Sequence, residues 1–172
     1  KGVSLANLGA GDYYVKVSGA ESENYHMAFK LKDAPAVTGN RSENYAVLFS
    51  GGYDAANNHT FYYSNIRNVY ESIISEYGVD PSHIYILCAD GTAAGIDNAA
   101  GGNSDFSFAA SAAVLAATES NLRNVFRTVS SVADGNDHFF FYSFDHGSTS
   151  SDGTDYICGW NEMIRDTDFA AY

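Results

Sequence analysis

Three short apolar runs, separated by stretches of helical periodicity, constrain this chain most. They are YAVLFS at 45–50, IYILC at 84–88 and FFFYSF at 139–144. Each is short for a helix and lacks the strict polar alternation of a half-buried strand, as expected of strands in a parallel sheet covered on both faces. Between the first two, Ile66, Val69, Tyr70, Ile73, Ile74 and Tyr77 recur at helical spacing over about 61–77. Gly78 then sits where a helix C-cap glycine belongs. Between the second and third, Thr118 suits the N-cap of a helix bearing Leu122, Val125, Phe126 and Val129, which Asp134-Gly135 stops. Strand-helix-strand-helix-strand order predicts an α/β fold with a mostly parallel sheet. The third run, apolar throughout, reads as a central strand.

Residues 1–34 read differently. Tyr13, Val15 and Val17 alternate with polar neighbours, as do Tyr25, Met27, Phe29 and Leu31, which predicts a β-hairpin with one apolar face. An isolated hairpin is marginal in water, so it is read as the remnant of an accessory β-domain. Residues 35–44 read as a linker, and 45–172 as the main domain, incomplete at its C-terminus. The formal net charge is −12 and the nine Lys and Arg are scattered. No basic patch exists to neutralise phosphates, which excludes nucleic acid and anionic membrane surfaces as partners. The acidity reads most simply as a soluble surface, and also suits basic substrates or cations. No apolar run approaches the ~20 residues of a membrane helix. Cys88 and Cys158 lie far apart and make neither a disulfide framework nor a zinc motif.

At the carboxyl ends of the predicted strands, where function gathers in such sheets, stand Ser50-Gly51-Gly52, Ala89-Asp90-Gly91 and Asp145-His146-Gly147. The third carries the most chemistry. An imidazole titrates near neutrality and serves as general acid or base. The N–H of Gly147 can approach an oxyanion closely because no Cβ blocks it. A plain strand-end histidine in a turn stands as the alternative. The loop from Asp90 to Ser111 offers Asp90, Asp97 and Asp105 as calcium ligands, but its spacing matches no EF-hand, a solvated loop explains it equally, and no cofactor is required. His26, His59, His83 and His138 form no ligand-spaced cluster.

The stretch from Asn136 to Thr149 (NDHFFFYSFDHGST) resembles the histidine strand of legumain-like cysteine peptidases, which runs Asp-His, apolar residues, then Asp-His-Gly. The opening strand, the helix after it and NLRNVFRTV resemble that family's preceding elements in order and spacing over about 45–165. The resemblance implies a caspase-type fold and a Cys–His dyad that hydrolyses peptide bonds. His146 would be the catalytic imidazole, Gly147 an oxyanion N–H donor and Asp145 the acidic residue shaping the site. Where the family orients its histidine with an Asn, this chain has Gly52, with Asn57 and Asn58 nearby. Its Arg-His pair in the substrate pocket corresponds to Asn58-His59, which puts asparagine specificity in question. The nucleophile would stand at the end of the next parallel strand, after a helix expected to begin within WNEMIRDTDFAAY. Cys158 falls instead in the family's short strand after the histidine loop, where the residue is structural. The thiol is therefore expected on a missing segment or on a companion chain produced by proteolytic processing. Residues 1–34 resemble the closing strands of a bacterial pre-peptidase C-terminal domain. With the main domain, this implies a secreted bacterial endopeptidase acting on peptide or protein substrates. The alternatives are an inactive relative serving as an extracellular binding module and a related transamidase.

Overall fold

The computed structural model describes residues 43–171. The hairpin expected over 1–34, and most of the linker, lie outside them. Strands β1 (Asn44–Ser50), β2 (Ile84–Cys88), β3 (Ala113–Leu115) and β4 (His138–Ser143) form a parallel sheet in the order β3-β2-β1-β4. Helix α1 (Thr60–Tyr77) follows β1, and α2 (Glu119–Val132) follows β3. A second, antiparallel sheet joins β5 (Gly147–Thr149), β6 (Asp155–Gly159) and β7 (Glu162–Arg165), and one helical turn, α3 (Asp166–Phe169), ends the described chain. The fold is thus α/β: a four-stranded parallel sheet flanked by helices, plus a small antiparallel sheet.

The two-residue period of the strands divides the apolar side chains between two helices. Ala46 and Leu48 of β1, with Ile84, Ile86 and Cys88 of β2, pack with Ile66, Tyr70 and Ile73 of α1. Their neighbours Tyr45, Val47, Phe49 and Leu87 pack on the opposite face with Leu122, Val125 and Val129 of α2. Strand β1 is buried on both faces, which is why its sequence shows no polar alternation. Each such fully buried Leu, Ile or Phe contributes roughly 1.5–3 kcal/mol. The helix ends behave as their sequences dictate. Gly78 takes the left-handed conformation (φ 65°) and donates its N–H to Ile74 O at 3.1 Å, while Val79 donates to Ile73 O at 3.2 Å. The Thr118 hydroxyl accepts the Asn121 N–H at 3.2 Å.

One expectation is corrected. Among the described residues the run FFFYSF is an edge strand rather than a central one: β4 pairs there only with β1, and Phe139 and Phe144 are exposed. Apolar composition reports how much a strand wants covered, not where it stands in the order. The segment WNEMIRDTDFAAY does begin a helix, α3 at Asp166, but a strand precedes it: Glu162–Arg165 pairs with β6 and buries Ile164 against α2.

Candidate active site

The strand order places the site. From β1 the sheet runs through β2 to β3 on one side, and returns to β4 on the other. The order therefore reverses between β1 and β4, and ligands of open parallel sheets bind at such a reversal, outside the carboxyl ends of the strands. Gly51-Gly52 leaves β1 at that point, and Asp145-His146-Gly147 leaves β4 beside it.

The half-buried Asp145 carboxylate ties the two segments together. One oxygen accepts the Gly52 N–H at 2.6 Å and the other accepts the His146 N–H at 2.6 Å. Burial pushes its carboxyl above the usual carboxylate range, with the N–H groups of Gly52, His146 and Gly51 pulling the other way. Nearby, Ser50 donates its hydroxyl hydrogen to Phe144 O at 2.9 Å.

The imidazole is oriented from the opposite side. Nε2 of His146 lies 3.1 Å from the main-chain oxygen of Asn57. A carbonyl oxygen can only accept, so Nε2 carries the proton and Nδ1 of the neutral ring keeps its lone pair. Among the described residues Nδ1 has no hydrogen-bond partner. Tyr62, in the first turn of α1, meets the ring edge-on at 5.1 Å between centroids, and His59 does so at 5.7 Å. Phe61 and Phe144 extend this aromatic wall.

Gly147 opens β5, opposite Ile157. The Cys158 N–H donates to His146 O at 3.3 Å, which makes Gly147–Ile157 the non-hydrogen-bonded type of antiparallel pair. The Gly147 N–H is thus not used by the β5–β6 ladder and remains available beside the imidazole.

The small sheet is pinned close to this point. A Cβ on Gly51 would stand 2.3 Å from Cys158 O and 2.5 Å from the Gly159 backbone, so the two main chains touch where only glycine fits. Tyr53 O accepts the Asn161 N–H at 2.5 Å. Tyr53 (φ 67°), Ala89 (φ 45°) and Asn161 (φ 59°) hold left-handed backbone unusual for non-glycine residues, and all three lie near the carboxyl ends of β1, β2 and β6. Such outliers cluster at functional sites because only an over-determined surrounding maintains them.

The residues read as substrate-binding separate. Gly52 is buried, with its N–H taken by Asp145. Asn58 is 1% exposed and donates its amide to Asp97 O at 2.5 Å, so its side chain points inward. His59 alone is exposed, stacked on Phe61 at 5.2 Å. Of the calcium candidates, Asp90 has its carboxyl raised by burial and by the Asp97 charge, while Asp105 is exposed and accepts the Ser107 N–H and hydroxyl at 2.9 and 3.0 Å. Among the described residues no three His, Cys, Asp or Glu gather as a metal centre.

Neither thiol is poised to react. Cys158 is buried with Sγ against Met163 Sδ at 3.6 Å, and burial, with the Asp145 charge, pushes its thiol up to about 11. Burial raises the Cys88 thiol further. A thiol with a pKa about two units above an ordinary cysteine carries roughly a hundredfold less thiolate at neutral pH, and the thiolate is the nucleophile.

Asn57, noted in the sequence only as a neighbour of Gly52, acts through its main-chain carbonyl rather than its side chain. Tyr62 carried a signal: it follows Thr60 in the first turn of a helix that begins beside the site. No helix of the described residues is long and apolar enough to cross a membrane. No family model matches the chain, and no curated protein matches it.

Proposed function

We propose that this chain supplies the histidine half of a legumain-like cysteine endopeptidase with a caspase-type sheet. The observation that carries the reading is the His146 imidazole. Its Nε2 is committed to Asn57 O, and its Nδ1 is left open at the sheet's reversal point, beside the uncommitted N–H of Gly147. A neutral imidazole so held takes a proton from a thiol. The thiolate then attacks the scissile carbonyl carbon, and the carbonyl oxygen, now negative, is received by the Gly147 N–H. The imidazolium gives its proton to the leaving amine. The freed Nδ1 next takes a proton from water, whose oxygen attacks the acyl-enzyme carbonyl and releases the acid and the thiol. Asn57 O keeps Nε2–H in place throughout, and Asp145 holds the two loops in register.

The attacking thiol is neither Cys88 nor Cys158, for both are buried and protonated at neutral pH. It comes from a strand that pairs with the outer edge of β4, which is unpaired among the described residues. The substrate is a peptide or protein, with His59 and the aromatic wall beside it, and the setting is extracellular. The raised thiols equally favour a second reading, an inactive relative acting as a binding module. Intact-mass and peptide mapping of the protein from its native source separates the two. The peptidase requires a further cysteine-bearing segment, in the same chain or bound to it. Material with Cys88 and Cys158 as its sole thiols would leave only the binding module.

A further inference from the structure

Four buried side-chain atoms lack a hydrogen-bond partner among the described residues: Asp97 Oδ2, Asp90 Oδ1, Asn58 Oδ1 and Ser104 Oγ. They are one neighbourhood rather than scattered defects, with Asp97 as its hub. Its Oδ1 accepts the Ser104 N–H at 2.9 Å, and its main-chain oxygen accepts the Asn58 amide at 2.5 Å. The Asp90 carboxyl is raised by burial and by the Asp97 charge. Asp97 is 0% exposed and Asn58 1%. A buried carboxylate oxygen without a donor is costly, and it is met with a proton, water or a cation.

Three of the four atoms can only accept, and the fourth is a hydroxyl that can. In the ion pairs of the described residues Arg67 sits on Glu71, Arg123 on Glu119 and His83 on Glu43, and none of these pairs involves Asp90 or Asp97. An all-oxygen set of two carboxylates with neutral amide and hydroxyl oxygens, and no nitrogen or sulfur, suits a hard cation rather than zinc. We propose that the segment 90–104, together with Asn58, encloses a calcium site whose anionic ligands are Asp90 and Asp97 and whose neutral oxygens come from Ser104 and Asn58, with water completing the shell. Asp105 lies outside it, its carboxylate engaged by Ser107.

The site stands independently of the peptidase reading, yet it adjoins it. Asn58 follows Asn57 in the chain, and Ala99 N–H donates to Asn58 O at 2.9 Å, so the loop that orients His146 hangs from the cation loop.

The test uses the full chain, stripped with chelator and titrated with calcium chloride at neutral pH by calorimetry and by thermal melting. One saturable site is expected, with a dissociation constant of about 10⁻⁵–10⁻³ M, as for sites with few carboxylates. The melting temperature should rise by several degrees at 10-fold excess or more. Asp97→Asn should abolish both effects and Asp105→Asn should leave both intact. Ser104→Ala, which keeps the fold's charges, should weaken binding about tenfold and serves if Asp97→Asn does not fold. Absence of binding in the unaltered chain would overturn the site. So would a Ser104→Ala or Asp97→Asn chain that binds calcium as the unaltered chain does, since the ions would then sit on surface acids. A calcium-free Asp97→Asn chain more stable than the unaltered one, with no calcium response in the latter, would assign the cluster to a shared proton instead.

Discussion

Replacing His146 with alanine should lower peptide-bond turnover by the active protein about 10²–10⁴-fold in kcat, the usual worth of a positioned general acid–base. KM should change little, because the imidazole acts on protons of the reacting groups rather than on the bound ground state. The ring is partly exposed and its hydrogen bond among the described residues goes to the exposed Asn57 carbonyl, so the melting temperature should move by no more than about 2 °C. His59→Ala is the matched control: it removes a neighbouring imidazole 5.7 Å away that has no hydrogen bond to the loop after β4. Its effect should fall on KM and remain within about tenfold. Equal losses from the two variants would mean that the aromatic wall, not the acid–base chemistry of His146, is what the site needs.

The second large effect is structural. Gly51→Ala should destabilise the protein by about 1–3 kcal/mol, because the added methyl meets main-chain atoms of Cys158 and Gly159 that cannot rotate away. At this chain length that corresponds to a fall in melting temperature on the order of 5 °C. Activity should fall beyond the stability loss. The same displacement pushes β6 outward, and β6 carries the Cys158 N–H that holds His146 O and the edge on which Gly147 is set. Gly135→Ala supplies the comparison. Nothing lies within 4 Å of its hypothetical Cβ, and its melting temperature should match that of the unaltered protein. If Gly51→Ala also melted unchanged, the close approach of the two main chains would be refuted, and with it the pinning of the small sheet at the site.

Much of the parallel sheet can be read from residues because its determinants are local. The apolar runs at β1 and β2, Gly78 after α1 and Thr118 before α2 each act through their own backbone conformation or nearest neighbours. Strand order is not local. Phe139, Phe140 and Phe141 look like a buried centre, and only the pairing shows that, among the described residues, β4 meets β1 alone and leaves its aromatic rings half covered. Strand β3 escapes notice because Ala113-Val114-Leu115 is three residues long and follows a run of alanine and serine that has no period. Strand β7 escapes because Met163 and Ile164 fit a helical spacing as well as a strand, and the partner that decides, β6, is recruited by the turn at Asn161. At the site, Asp145, His146 and Gly147 are legible because their side chains, or lack of one, carry the chemistry. Asn57 is not, since any residue has the carbonyl it uses. Asn58 looks like a pocket residue from its position beside His59, but its amide is turned inward to Asp97.

The central claim is that His146 serves a cysteine nucleophile other than the two buried thiols. It is tested most directly by treating the protein from its native source with a peptidyl electrophile that alkylates cysteine-peptidase thiols, then mapping the adduct by mass spectrometry. The expected result is one adduct at neutral pH, on a cysteine that is neither Cys88 nor Cys158, and its loss in His146→Ala. An adduct on Cys158, or an adduct that forms equally well without the imidazole, would contradict the account.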